Sequence, residues 1–291
     1  MNHKTKHTVT VVLPAYNRDI SIARSISSVL TQSYRQFELL VIDDGSTDST
    51  EEVVKSIDDD RIQYVKLPSN VGAAAARNQG VKLAKGDFIA FQDSDDEWVP
   101  DKLEKQLNCF DDYDASVGMV FTDMLRIYTD GSTNVFESPE VQKGRMADRY
   151  GLEYQVFGIG QQSAVIRKEC FSSVGFFDES LPRFIDLEFF VRLLLQYQAV
   201  RISEPLVRFY ETEGISSNRT ACIEARLRLL EKYQAHCSRK FRASQYAKIA
   251  EFHFILKNHY AGLKYLTQAL LLTPVCTTIW RTLYRKMRRR L

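Results

Sequence analysis

Short β-branched runs alternate with segments of helical periodicity through the first half of the chain. Residues 8–13 (TVTVVL), 37–43 (FELLVID), 62–67 and 87–92 (DFIAFQ) are apolar runs of strand length. Runs of this kind predict buried strands. Between them, residues 19–32 carry Ile22, Ile26, Val29 and Leu30 at helical spacing, and residues 72–84 are rich in alanine. Ser46-Thr47-Asp48-Ser49, followed by Glu51 and Glu52, supplies a helix cap and an acidic first turn. A further helix opens at Pro100. Strand and helix alternating at this spacing predict right-handed crossovers. The fold class is α/β: a parallel sheet with helices on both faces.

The pattern changes further along. Residues 117–128 and 163–166 predict strands, and the turn-rich stretch 129–158 between them predicts a loop region. A helix at 187–197 and a strand at 200–210 follow. From about residue 220 the periodicity is wholly helical, with amphipathic stretches at 221–237, 243–256 and 260–272 and a basic one at 277–290. The chain therefore divides into an α/β domain, 1–219, and a helical region, 220–291.

Charge sharpens this division. The 291 residues carry a formal net charge of +2, but six of the last eleven are basic: Arg281, Arg285, Lys286, Arg288, Arg289 and Arg290. Without these six, 33 basic residues face 37 acidic ones, a body of −4. A mildly acidic body argues against nucleic acid as a partner. The basic stretch 277–291, with Ile279, Trp280, Leu283, Tyr284 and Met287 interleaved, predicts contact with an anionic membrane surface. The alternatives are a helix packed on the body, or residues 243–272 as the contact for a partner protein. Five scattered cysteines without C-x-x-C spacing predict reduced thiols and no zinc site. No apolar run before Pro14 is long enough for a signal peptide. The uncharged stretch 265–280 is only 16 residues and contains Gln268 and Pro274, so it is a poor membrane span. The expectation is a cytoplasmic protein, peripheral on the inner face of the membrane.

Open α/β sheets bind ligands beyond the carboxyl ends of their strands. Polar residues follow each of the first four strands: Pro14-Ala15-Tyr16-Asn17, then Asp43-Asp44-Gly45-Ser46, then Asn70-Val71-Gly72 leading to Arg77-Asn78, then Asp93-Ser94-Asp95-Asp96. Turns favour such residues anyway, but four in register predict one ligand edge. Asp93 and Asp95, two apart after a buried strand, can reach one hard cation while leaving positions open for phosphate oxygens. The competing reading of the same residues is an acidic loop ahead of the helix at Pro100. The five histidines lie outside this edge, and neither a phosphate-binding G-x-x-x-x-G-K-[ST] nor a dinucleotide G-x-G-x-x-G is present.

As an ordered set, VVLPAYNR, LLVIDDGSTDST, NVGAAAARNQG, GDFIAFQDSDDEWVPDKLEKQ and VGFFDESL resemble glycosyltransferase family 2, with the GT-A fold, over residues 8 to 215. The resemblance implies an inverting glycosyltransferase using a nucleotide diphosphate-sugar donor, UDP-linked by expectation. Its acceptor would be a glycan or lipid-linked saccharide of the cell surface. It places Pro14, Ala15, Tyr16, Asn17 and Asp44 at the nucleoside, Arg77 near the nucleotide, and Asp93 and Ser94 near the ribose or donor sugar. It makes Asp95 the ligand of a divalent cation, Mn2+ or Mg2+, and Asp186 the catalytic base, with Ile185 and Glu188 replacing the acids usual beside it. A helix N-cap is the plainer role for Asp186. Trp98, Gln162 and Glu188 are acceptor-side expectations, against packing or loop-ending roles. Where relatives often carry a histidine near the diphosphate, this chain has Thr212 and Glu213; an exposed loop acid is the plainer role for Glu213, a weak metal neighbour the alternative. A non-catalytic sugar-nucleotide-binding or scaffold protein is the alternative function, favoured by Ile185 and the missing histidine.

Overall fold

A computed structural model describes residues 7–139, 158–211 and 218–274. The chain forms two compact units: residues 1–148, 155–179 and 186–212, and residues 149–154, 180–185 and 213–291.

The first unit is built on one mixed sheet. Strands β1 (Val9–Ala15), β2 (Phe37–Asp43), β3 (Ile62–Lys66) and β4 (Phe88–Phe91) run parallel in the order β3-β2-β1-β4. Helices α1 (Ile22–Leu30), α2 (Thr50–Lys55) and α3 (Ala73–Leu83) make the crossovers. Val9, Val11 and Leu13 share a core with Ile22, Ile26 and Val29 of α1, Val54 of α2, and Leu103, Leu107 and Phe110 of α4 (Lys102–Asp111). Val12 points the other way, onto α3, so closely that a Cβ on Gly80 would meet its Cγ1 at 2.3 Å. Alternation along β1 thus puts helices on both faces.

The sheet then changes direction. Beyond β4 come β8 (Val165–Arg167), antiparallel to it, and β6 (Val117–Ile127), antiparallel to β8. Strand β9 (Gln198–Tyr210) lies parallel to β6, and the two-residue β5 (Glu97–Trp98) pairs with β9. Helices α5 (Lys168–Val174) and α6 (Ile185–Gln196) bring Phe171 and Phe189 into an aromatic cluster with Phe91 and Phe177. The expected loop at 129–158 contains a strand instead. Asp130-Gly131 makes a hairpin turn, with Gly131 at φ 81°, and β7 (Thr133–Phe136) returns along β6. Residues 140–157 of that stretch lie outside the described residues.

The second unit contains α7 (Arg219–Tyr233), α8 (Arg239–Ile255) and α9 (His259–Leu272). Each opens on a side-chain cap: Asn218, Ser238 and Asn258 accept from the backbone N–H three residues on. Ala247 and Ala250 of α8 meet Leu266 and Ala269 of α9. No described helix is long and apolar enough to cross a membrane. The expected helix at 277–290 lies outside the described residues.

Candidate active site

Parallel register aligns the strand ends. Ala15 pairs with Asp43, Asp43 with Lys66, and Val12 with Phe91, so the loops after β1 to β4 open on one edge. Pro14 and Ala15 are the last residues of β1. Tyr16 is 43% exposed there. Asn17 takes a left-handed conformation, φ 51°; its N–H donates to Ser46 Oγ at 2.9 Å and its Oδ1 accepts from the Thr47 N–H at 2.9 Å. Asp44 is buried and accepts from the N–H groups of Val71 and Gly72 at 2.7 and 2.9 Å. Its own N–H donates to the Ala15 carbonyl. Gly45, at φ 75°, lies so near the next loop that a Cβ would sit 2.8 Å from Ser69 C. Three loops are thereby tied together, chiefly by side chains that accept from backbone N–H groups. Both Asp44 oxygens serve this linkage, which the expectation of a nucleoside contact had not included.

The acidic turn after β4 is held from both sides. Arg77 donates to Asp93 Oδ1 at 2.6 Å, and Ser25 and Ser21 donate to the carbonyls of Asp93 and Ser94. Ser94 itself is buried. Arg24 donates to the Asp95 carbonyl at 2.6 Å, and Arg18 stands 3.8 Å from Asp95 Oδ2. Both Asp93 and Asp95 thus keep partly exposed carboxylates beside a guanidinium, Arg77 tightly at Asp93 and Arg18 at longer range from Asp95. The Arg77 Nε is buried without a hydrogen-bond partner, an unsatisfied donor beside the acidic turn.

Asp96 has a different role. It is 1% exposed and accepts from Gln162 Nε2 at 3.0 Å and from the Tyr210 N–H at 3.1 Å. Burial, then the charges of Asp93 and Asp95, push its carboxyl well above the usual range. The sequence reading gave Asp96 no role. The only signal was a fourth polar residue in a turn that needed three.

Asp186 lies in the first turn of α6, which begins at Ile185, so it is not the N-cap. Its carboxylate accepts from the Leu187 N–H at 2.8 Å. It retains partial exposure amid dense surrounding protein, and this burial raises its pKa above the ordinary aspartate value. Arg77 opposes that shift and Asp93 adds to it, so Asp186 lies within electrostatic reach of the acidic turn. Asn78 shapes the approach. Its amide donates to the Phe177 carbonyl and Glu179 Oε1 at 3.0 and 2.7 Å, and accepts from the Phe177 N–H at 2.9 Å. It fixes the segment preceding Asp186, a role that the motif beside Arg77 only hinted at.

Three residues expected on the acceptor side have internal partners. Trp98 is 2% exposed; its indole N–H donates to the Gln162 carbonyl at 3.1 Å and the Lys102 amine covers its ring at 3.9 Å. A ring with no open face cannot stack on a sugar. Gln162 is buried and spends its amide on Asp96. Glu188 is fully buried against Arg192, whose Nε and Nη2 donate to it at 2.9 and 2.8 Å. Arg192 in turn donates to the Phe176 carbonyl at 2.7 Å. All three are internal struts. Glu213 lies outside the described residues.

The Glycosyl transferase family 2 model matches residues 10–173, more than half of the chain. A UDP-Glc:alpha-D-GlcNAc-diphosphoundecaprenol beta-1,3-glucosyltransferase of Escherichia coli, WfgD, is 47% identical over 102 residues, 35% of this chain and 40% of that one. The putative teichuronic acid biosynthesis glycosyltransferase TuaG of Bacillus subtilis is 45% identical over 104 residues, 35% of this chain and 41% of that one. The chain thus matches about two fifths of the length of these relatives. The amylovoran biosynthesis glycosyltransferase AmsB of Erwinia amylovora is 29% identical over 240 residues, 79% of each. Among solved structures, S. aureus TarS 1–349 in complex with UDP-GlcNAc superposes with a TM-score of 0.63 at 19% identity, over 92% of this chain and 82% of that one. The mannosyltransferase PcManGT of Pyrobaculum calidifontis, in complex with GDP-Man and Mn2+, gives 0.57 at 17% identity, over 97% and 75%. The mixed sheet and its crossovers are the GT-A arrangement. By sequence, the chain belongs to glycosyl transferase family 2.

Proposed function

We propose that this protein transfers a sugar from a UDP-linked donor to a hydroxyl of a lipid-linked saccharide in cell-surface polysaccharide synthesis, inverting the anomeric configuration. What supports the reading is that Arg77 and Asp93, paired at 2.6 Å on the edge where the loops after β1, β2 and β3 open, both act electrostatically on the Asp186 carboxyl. The donor class has support from the UDP-GlcNAc bound by TarS, and the acceptor class from the diphosphoundecaprenol in the name of WfgD.

Each residue has a separate task. Tyr16 and the loops tied by Asn17 and Asp44 would receive the nucleoside. Arg77, with its unpartnered buried Nε, would meet the diphosphate, and Asp93 would orient that guanidinium. Asp186 would take the proton from the attacking hydroxyl, its raised pKa suiting it to a base working near neutrality. Attack from the side opposite the leaving phosphate inverts configuration in one displacement.

The donor set at Asp95 fits a hard divalent cation. It is an oxygen ligand, and the charges of Asp93 and Asp95 add to burial in pushing the neighbouring Asp96 carboxyl upward. Among the described residues no three His, Cys, Asp or Glu side chains converge to hold a metal. A cation at Asp95 would therefore share its coordination with phosphate oxygens and water. Bound Mn2+ or Mg2+ supplies charge neutralisation to the departing diphosphate. The basic stretch 277–291 would keep the enzyme against the anionic membrane that holds such an acceptor.

Thermal stabilisation by a panel of UDP- and GDP-sugars, with and without Mn2+, tests the reading. A true donor present at a hundredfold its Kd stabilises by about 2.7 kcal/mol. Asp95→Ala should lose the cation-dependent part of that gain. The reading fails if no nucleotide-sugar stabilises the protein. Stabilisation without turnover on any acceptor would favour a binding protein.

A further inference from the structure

Helix α9 presents two faces of different character. Gly262, Leu266 and Ala269 are buried against α8, and a Cβ on Gly262 would meet Phe254 at 2.4 Å. The other face carries Tyr260, Leu263, Leu270 and Leu271, exposed by 84%, 53%, 38% and 82%, with Lys264 and Thr267 also exposed between them. Positions 260, 263, 264, 267, 270 and 271 follow helical spacing, so these side chains form one outward stripe. Leu256, the C-cap of α8, is also 45% exposed. An apolar stripe held in water is costly unless something covers it.

Charge identifies the cover. Residues 252–291 contain no Asp or Glu, while the 251 residues before them contain all 37. The same forty residues carry eight Lys and Arg: Lys257, Lys264 and the six between 281 and 291. A protein partner of ordinary composition gives no reason to exclude every acid from forty residues. A negatively charged lipid surface does, because each carboxylate near it is repelled and each cation attracted. Aromatic and leucine side chains beside lysines suit the boundary between headgroups and acyl chains.

We propose that the outward face of α9 is a docking surface for an anionic lipid bilayer, with Tyr260, Leu263, Leu270 and Leu271 entering the interface. This extends to a described helix the contact proposed for residues 277–291, and it does not depend on the transferase reading. Flotation of the full chain with phosphatidylcholine vesicles, with or without phosphatidylglycerol, tests it. Wild type should float with the phosphatidylglycerol vesicles. The double variant Leu263→Gln/Leu271→Gln should bind them about tenfold or more weakly, since two buried leucines contribute that much to interfacial partition. Its melting temperature should hold, because both side chains already face outward. Tyr260→Ser serves as a second, milder variant and should lower binding in the same direction. Deleting 277–291 isolates the other contribution. Binding lost on that deletion but unchanged in the leucine variant would overturn the proposal. So would a wild type that ignores phosphatidylglycerol vesicles, or a wild-type dimer that the leucine variant turns into a monomer.

Discussion

Polar residues at the carboxyl edge of β1–β4 and those around β5, β8 and α6 look alike in sequence, and the fold treats them differently. At the parallel edge, Asn17, Asp44 and Arg77 hold loops together and still leave an open rim with Tyr16 and Asp95 on it. Around β5, β8 and α6, Trp98, Gln162 and Glu188 are buried and satisfied by one another or by neighbours. Strand direction accounts for part of this. Parallel strands all deliver their following loops to one edge. Because β8 runs against β4, the residues preceding β8 come to that same edge, which is why Gln162 reaches Asp96. Gln162 is thus at the expected edge but one layer too deep, beneath the turn rather than on it.

The largest test of this contrast is Asp186→Asn. If Asp186 belongs to the open rim as the base, kcat should fall by about 10²–10⁴-fold while nucleotide-sugar affinity holds. Stability should not fall. Burial raises the folded pKa above its ordinary value, so the ionised carboxylate weighs against folding once pH exceeds that ordinary value, and the amide removes the penalty. For the same reason, wild-type turnover should rise with pH through a value above the usual aspartate range. Full activity in the asparagine variant would move Asp186 to the buried class.

Glu188→Ala should act in the opposite way. It leaves Arg192 partly buried without its carboxylate and should cost about 3 kcal/mol of stability, measured by urea unfolding. The KM for the acceptor should not change. A raised acceptor KM without loss of stability would return Glu188 to the rim. Asp44→Asn falls between the two classes. One of two N–H acceptors becomes a donor, which should cost about 2 kcal/mol. Nucleotide affinity should weaken with it, because the loops that Asp44 ties frame the nucleoside side of the cleft.

Much of the parallel half was legible because its signals are local. The apolar run 37–43 became β2 with those same bounds, and the alternation of strand and helix gave the crossovers. The second half was harder to read. Nothing near Val165 says that β8 will lie between β4 and β6, because pairing partners far apart leave no periodicity behind. The β7 hairpin was masked by a turn-rich surround, although Asp130-Gly131 is a hairpin signal. Of the site, motif order put Arg77, Asp93 and Asp95 on one edge. Depth was not readable: no spacing rule distinguishes an acid such as Asp95 on the rim from Asp96 beneath it, one residue later.

The finest test is Trp98→Phe. Phenylalanine keeps an aromatic face for the Lys102 amine and removes only the indole N–H and part of the ring. Burial holds that amine's pKa well below the usual lysine value, which favours its neutral form. The lost hydrogen bond to the Gln162 carbonyl should cost about 1 kcal/mol, read from the unfolding midpoint. Acceptor KM and kcat should stay within twofold, because Trp98 supports Gln162 and Asp96 from below rather than touching a sugar. If acceptor KM instead rose severalfold with stability intact, Trp98 would be a surface for a sugar ring after all. The distinction between rim and strut would then fail at the residue where burial draws it most clearly.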